Sequence, residues 1–441
     1  MKQIYSFFSS RTVNTPRTFW SPFLLSFYAV YLFYALTIPL VANGAGAVLM
    51  IMGLCGLYRL KAYFYSLTLA ESCLVLSFVL FSVVSIVSFF YWPQSRGSRM
   101  HMEDYLTFMM LVPLYLLLRQ FRFNFYGIVL LLAVVSISLG VVSIVQYVGV
   151  KYFQTIVFGF DSGWTSALRP SGGVNPMRYA AISLILAVTS LNAMLLGRHK
   201  GGGVKLILAL AVFMGVTACF LTQSRGTFIC IPVLAFAYGV YLYLTGNPKF
   251  LIALAIGSVL LVGGLSQNSR VQSTVESMVR YQQGDSNSNL GSRLDMFEAA
   301  VILIKQNPVW GHGLYSYSRN AGEIRDGTPG MDISVGMWNN PHNEILLVMV
   351  EKGAIGLLTL LFLFAAPGYL FLQALRKAGD SAVGQQVKYY ALCGLSLLIV
   401  YAVAGQSVAL FEHDVFNHFF ALMVLLFASQ VRVIEYMRDK T

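Results

Sequence analysis

Apolar residues in this chain do not alternate with polar ones; they run on. Long, predominantly apolar runs occupy 20–41, 44–58, 67–91, 104–118, 125–148, 176–197, 204–221, 227–245, 249–265, 342–373, 386–410 and 415–433. Most are close to the roughly 20 residues that a helix needs to cross a bilayer core, with 44–58 and 104–118 the short ones. Strands of a membrane barrel would instead show a period of two. The pattern predicts an all-α polytopic integral membrane protein of about twelve transmembrane helices. Residues 266–341 are the one large polar insertion. The expected organisation is therefore 1–265 with transmembrane helices 1–9, a loop over 266–341, and 342–441 with helices 10–12.

Inside the insertion the period changes. Val271, Val275, Met278 and Tyr281 recur at helical spacing, and GDSNSN at 284–289 breaks the pattern. Ser292 and Asp295 then read as an N-cap pair before an apolar stripe of Leu294, Phe297, Val301 and Ile304. That predicts an amphipathic helix over 292–306, ending near Asn307-Pro308 and lying on the membrane surface or over the spans. Residues 308–340, rich in Gly, Asn and Ser, read as irregular. No internal repeat and no second soluble domain emerges.

Composition agrees with the pattern. Of 441 residues 57% are hydrophobic and 11% charged, and the mean hydropathy is +0.68. The net charge of +12 is no nucleic-acid footprint, because its lysines and arginines collect in alternate loops. With a cytoplasmic N-terminus the inside loops hold Arg59 and Lys61, Arg119 and Arg122, Arg198, Lys200 and Lys205, Lys249, and Arg376, Lys377 and Lys388. The outside loops hold Arg96, Arg99, Lys151, Arg169, Arg178 and Arg225. The positive-inside rule then puts both termini in the cytoplasm and 266–341 outside. Cys55, Cys73, Cys219, Cys230 and Cys393 all lie in apolar runs, where they read as packing residues. Lys2, Arg11 and Arg17 precede a long run with no cleavage site, which reads as an uncleaved first span.

Three ionisable residues at apolar boundaries carry the candidate chemistry. In NNPHNEILLVMVEKGAIGLL (339–358), Asn340 reads as an N-cap and Pro341 as the first helical residue, placing His342 in the opening turn. The positive end of the helix dipole would keep that imidazole neutral and able to accept a proton. A span-capping histidine is the plainer alternative. Glu344 and Glu351 would share a face of the same helix, with Lys352 neutralising Glu351. Arg225, in the short hairpin of LTQSRGTF (221–228), is a ligand contact or an interfacial anchor. Arg293 follows the predicted cap, where helix amides and a guanidinium make a phosphate site; the alternative is a solvated arginine. Arg169 and Arg178 at the ends of RPSGGVNPMR are a second anion contact or markers of the membrane surface. The FEHDVFNHFF stretch (411–420) offers Glu412, His413, Asp414 and His418, but five-residue histidine spacing does not put both rings on one face, so no metal site is expected. HExxH, P-loop, GxSxG and GxGxxG arrangements are absent.

With these residues in hand the chain resembles the bacterial O-antigen ligase family, in a superfamily shared with O-antigen polymerases and protein O-oligosaccharyltransferases. The resemblance is carried by TQSRG around Arg225, GSRLDMFEAAVILIKQNPVWGHG around Arg293 and PHNEILLVMVEKGAIGLL around His342. It implies a GT-C-like membrane glycosyltransferase of the bacterial inner membrane, working at the periplasmic face without metal or other cofactor. The implied donor is an undecaprenyl-pyrophosphate-linked glycan and the implied acceptor a hydroxyl of lipid A–core oligosaccharide. Arg225 and Arg293 would hold the pyrophosphate and His342 would serve the acceptor proton, with inversion at the anomeric centre. Asn343, Glu344, Arg169 and Arg178 stand as acceptor or supporting residues. A polymerase of the same superfamily is the nearest alternative. A lipid-linked glycan transporter or flippase is the alternative from another class.

Overall fold

The computed structural model describes residues 11–12, 20–35, 37–64, 67–92, 95–153, 169–172, 174–196, 201–246, 255, 276–279 and 290–438. All but residue 255 of the expected span at 249–265, the break at 284–289 and most of the helix expected over 267–283 lie outside them. The chain is an all-α polytopic membrane protein. Its helices are α1 (Trp20–Tyr34), α2 (Pro39–Phe64), α3 (Leu69–Tyr91), α4 (Arg96–Leu118), α5 (Phe125–Phe153), α6 (Pro176–Leu196), α7 (Gly202–Leu221), the single turn α8 (Arg225–Phe228), α9 (Cys230–Leu244), α10 (Gly291–Gln306), α11 (Tyr317–Gly327), α12 (Glu344–Lys377), α13 (Ala382–Ala404) and α14 (Asp414–Arg438). Among the described residues eight helices are long and apolar enough to cross a membrane: α3, α5, α6, α7, α9 with the end of α8, α12, α13 and α14. The two short apolar runs belong to longer helices than the sequence predicts, 39–64 and 96–118. Their polar ends hid the first turns of α4, where Arg96, Arg99, His101, Glu103 and Asp104 sit.

The core is layered around α14. That helix is buried along nearly its whole length, from Val415 to Ile434, and packs on α4 and α13. One group, α1 to α4, flanks it; α5, α6 and α7 form a second group, joined to it through α13. The faces of α7 and α9 remain largely uncovered by described residues, as befits helices against lipid. Some buried hydroxyls tie neighbouring helices together, as where Ser82 Oγ donates to the Tyr105 carbonyl (2.7 Å) and Ser136 Oγ to the Ala211 carbonyl (2.8 Å).

Two ends of the bundle are fastened differently. At one end Glu71, fully buried, accepts from Arg119 Nε at 2.6 Å and from Tyr115 Oη at 2.9 Å, with Arg432 Nε at 3.4 Å. Two guanidiniums and a phenol satisfy a carboxylate that alone would be costly to bury. At the other end stand the ends of α3, α7 and α13, the beginnings of α4, α6, α12 and α14, and the segment 290–343 that caps them.

That cap has its own small core of Met296, Ala299, Ala300, Leu303, Tyr317, Ala321, Val335, Leu347, Val350 and Ala409. α10 thus buries the face of Met296, Ala299, Ala300 and Leu303, not the predicted stripe of Leu294, Phe297, Val301 and Ile304, of which Val301 is 40% exposed. Both stripes have helical spacing, and contact with the head of α12 decides between them. The helix starts at Gly291 with Leu290 at its cap position, so Ser292 does not cap it; Asp295 Oδ2 accepts instead from the Asp332 amide at 2.8 Å.

α12 is broken where the sequence reads as one continuous span. Gly353 has φ 61° and ψ −158°, a conformation essentially reserved for glycine. The break frees backbone groups, and the irregular segment 308–313 takes them. His312 and Gly313 amides donate to the Val350 and Glu351 carbonyls at 2.7 and 3.0 Å. The Ala354 and Ile355 amides donate to Pro308 and Val309 carbonyls at 2.8 and 3.4 Å. Gly311, at φ 69°, lets the two backbones touch.

Candidate active site

His342 does not open α12. The helix begins at Glu344 and its N-cap is Asn343, whose side chain accepts from the Leu346 amide at 3.0 Å. His342 stands just before the cap in a left-handed conformation, φ 54°. Asn340, the expected cap, instead braces the histidine. Its Oδ1 accepts from the His342 amide at 2.8 Å, and its Nδ2 donates to Glu412 Oε2. Two asparagines flank Pro341-His342, and both hold backbone, one below the histidine and one above. The His342 ring lies beside Trp338, centroids 5.7 Å apart.

The imidazole is neutral, as expected, though for another reason. Its pKa is pushed down from the usual 6.5 to about 4, first by burial and then by the positive charges of Arg293 and Arg178. The electrostatics therefore bring His342, Arg293 and Arg178 into one neighbourhood. Arg178 is buried; its Nη2 donates to the Ala409 carbonyl at 2.6 Å and lies 3.8 Å from Glu412 Oε2. Its Nε finds no acceptor among the described residues, and a buried guanidinium N–H left over in this way is an uncommon feature that calls for an explanation.

Arg225 begins the single turn α8 at the same end of the bundle. Its backbone neighbours fix the place: Thr227 Oγ1 donates to the Met177 carbonyl at 3.4 Å, and Gly226 abuts Ser407. The Arg225 side chain lies outside the described residues. Arg169 holds the approach to that turn, its Nε donating to the Thr222 carbonyl at 3.0 Å. Glu344 is occupied by backbone, its Oε2 accepting from the Leu410 and Phe411 amides at 2.7 and 3.1 Å. The structure thus puts Asn343, Glu344 and Arg169 in scaffold contacts, while Arg178 and Arg293 reach the imidazole electrostatically.

Sequence reasoning missed the hub. Glu412 receives Asn340, Arg178 and His101, whose Nε2 lies 3.5 Å away. His101 Nδ1 is 3.2 Å from Glu351 Oε1, which also accepts the Tyr315 amide at 2.8 Å. Glu351 is thereby turned toward α4 and the cap. Lys352 does not neutralise it by direct pairing but donates to Ser85 Oγ at 3.3 Å and sits over the Tyr105 ring, 3.5 Å from its centroid. A histidine alone in a polar stretch gives no sequence signal, and Glu412 was visible only as one member of an unconvincing metal cluster. Among the described residues no group of three or more His, Cys, Asp or Glu could hold a metal ion.

Backbone strain marks the same region. The non-glycine residues at positive φ among the described residues are Gln223, Tyr315 and His342. Gln223 precedes the Arg225 turn, Tyr315 binds Glu351, and His342 is the candidate base. Each left-handed residue costs about 1–2 kcal/mol, and such costs persist where surrounding contacts over-determine the conformation.

Residues 209–361 match the protein family described as O-antigen ligase. That match, over about a third of the chain, supports the O-antigen ligase family. Arg225, Arg293 and His342 all fall inside the matched stretch; His101, Arg169, Arg178 and Glu412 fall outside it. The chain is also similar to an uncharacterized protein of Haemophilus influenzae (strain Rd), 22% identical over 403 residues, covering 89% of this chain and 94% of that protein. The family supports glycosyl transfer of the O-antigen ligase or polymerase type.

Proposed function

We propose that this protein moves a glycan from undecaprenyl pyrophosphate to a hydroxyl of lipid A–core oligosaccharide, at the periplasmic face of the bacterial inner membrane. The observation that carries the reading is the convergence of a neutral imidazole with arginine charge at one end of a membrane bundle, within a stretch matched by the O-antigen ligase family. The glycosyl–pyrophosphate bond is already activated, so transfer needs no nucleotide. The acceptor oxygen attacks the anomeric carbon as the bond to the pyrophosphate oxygen breaks; the new glycosidic bond forms and undecaprenyl pyrophosphate leaves with the electron pair. A single in-line displacement inverts the anomeric centre. Arg225 and Arg293 hold the pyrophosphate and offset the charge it gains, and a ring nitrogen of His342 takes the acceptor proton.

Arg178 and Glu412 tune this arrangement. Arg178 supplies a second positive charge, and Glu412 positions it together with Asn340, which sets the His342 backbone. Purified protein with lipid-linked glycan and lipid A–core should yield a product heavier by the glycan, read by mass spectrometry. Glycan joined to a second lipid-linked glycan would show a polymerase instead, and absence of any transfer would sink the reading.

Arg225→Ala and Arg293→Ala are each expected to reduce turnover about ten- to over a hundredfold, because a charge-assisted hydrogen bond contributes about 1.5–3 kcal/mol net. Lysine at either position should restore part of it, keeping charge but losing the planar fork. Steady-state rates on protein that elutes from size exclusion like wild type check this. Full activity in either alanine variant removes that arginine from the site.

A further inference from the structure

The cap also contains a concavity between α10 and α11. It is a cavity of about 400 Å³ lined by Leu303, Gln306, His312, Asn320, Glu323 and Ile324, a volume within the range of small-ligand sites. The lining follows from two helices at contact spacing. Leu303 and Gln306 are three apart on α10; Asn320, Glu323 and Ile324 lie three and four apart on α11. Leu303 is buried in the cap core beneath, so Ile324 gives the concavity its small apolar share. Two amides, a carboxylate and an imidazole give the walls.

The donors and acceptors are specific in kind. His312 is held fast: its Nε2 donates to the Leu303 carbonyl at 2.8 Å and its ring stacks on Trp92 at 6.3 Å. The Oδ1 of Asn320 is taken by Arg319 Nε at 3.1 Å, which leaves the amide protons of Asn320 to donate. Glu323 can only accept, and Gln306 does both. Among the described residues the lining contains no arginine or lysine, which disfavours a phosphate. A mainly polar lining of paired donors and acceptors fits the vicinal hydroxyls of a sugar ring. Gln306 and Arg293 sit at opposite ends of α10, about 20 Å apart at 1.5 Å per residue, a span of several sugar units.

We propose that the groove between α10 and α11 is a saccharide subsite that holds sugars remote from the bond being made. The inference rests on the glycosyl-transfer reading above for its purpose, but not for its chemistry. The saccharide belongs either to the donor glycan or to the acceptor core, and the two are separable.

The direct test is calorimetric titration of two probes into the purified full-length protein. One is the reducing oligosaccharide hydrolysed from the lipid-linked donor; the other is core oligosaccharide released from lipid A by mild acid. Wild type should bind one of them, and Asn320→Ala with Glu323→Ala should weaken that binding by about ten- to a hundredfold, the effect of two lost polar contacts. Alanine is a good helix former, so α11 should persist. In the transfer assay the double variant should raise the KM of the donor or the acceptor, matching the probe that binds, with kcat unchanged and no effect on a substrate truncated to one sugar. Binding of neither probe by wild type, or equal binding by the double variant, overturns the subsite. Loss of transfer in wild type with probe binding intact would instead count against the proposed reaction and leave the subsite standing.

Discussion

Replacing His342 with alanine is expected to lower turnover by about 10²–10⁴-fold, the usual worth of a general base, while donor binding survives on the arginines. His342→Gln separates two roles: it can still orient an acceptor hydroxyl but cannot take its proton, so it should remain as slow as alanine. The pH dependence sharpens the claim. In the free protein the ring is held near a pKa of about 4, so it is neutral at pH 7 and charges only as pH falls toward 4. kcat/KM, which reports the free enzyme, should therefore hold from neutral pH down to about 5 and drop only below it. A bound pyrophosphate brings negative charge beside Arg293 and favours the protonated ring. The kcat profile should then bend at higher pH than kcat/KM. Single-turnover and steady-state rates across pH 4–8 check both, with glutamine as the reference that lacks the limb. Near wild-type turnover in the alanine variant ends the catalytic assignment, and near wild-type turnover in the glutamine variant leaves only orientation.

The membrane helices were legible because hydrophobic burial in lipid is written as run length. The predicted 67–91 and 204–221 meet helices at Leu69–Tyr91 and Gly202–Leu221. What depends on a partner was not legible. Asn340 and Asn343 are equally good caps in isolation; Asn343 becomes the cap while Asn340 Oδ1 is taken by the His342 amide and its Nδ2 is held by Glu412, seventy-two residues on. α10 carries two apolar stripes, and only contact with α12 reveals which is buried. His101 sits in a segment that reads as a polar connection, yet it bridges Glu351 and Glu412 and so links α4, α12 and the loop before α14. The candidate residues that stand in local motifs, Arg225, Arg293 and His342, could be singled out from sequence; the hub around Glu412 is assembled from four distant segments and could not.

Gly353→Ala is expected to cost more than any surface change, because the site is built on the break it makes in α12. A methyl group there would meet the Val309 carbonyl oxygen at 2.2 Å, and the backbone at φ 61° and ψ −158° is one that alanine avoids. Strain of this kind alone costs about 1–3 kcal/mol, and the clash adds to it. The variant would relieve both by completing the helix, but the Val350 and Glu351 carbonyls would then turn away from His312 and Gly313. Segment 308–313 would lose its anchorage, and with it the seat of Glu351 beside His101 and Tyr315. Most of the protein should fail to accumulate in folded form, and the surviving fraction should melt lower and be cut by protease within 308–316. Gly322→Ala is the matched control, since a methyl group there meets nothing within 4 Å and alanine improves a helix interior; it should accumulate and melt like wild type. A Gly353→Ala protein that elutes, melts and resists protease as wild type does would mean that the break is dispensable, and that 308–313 is held by side chains rather than by the backbone of α12.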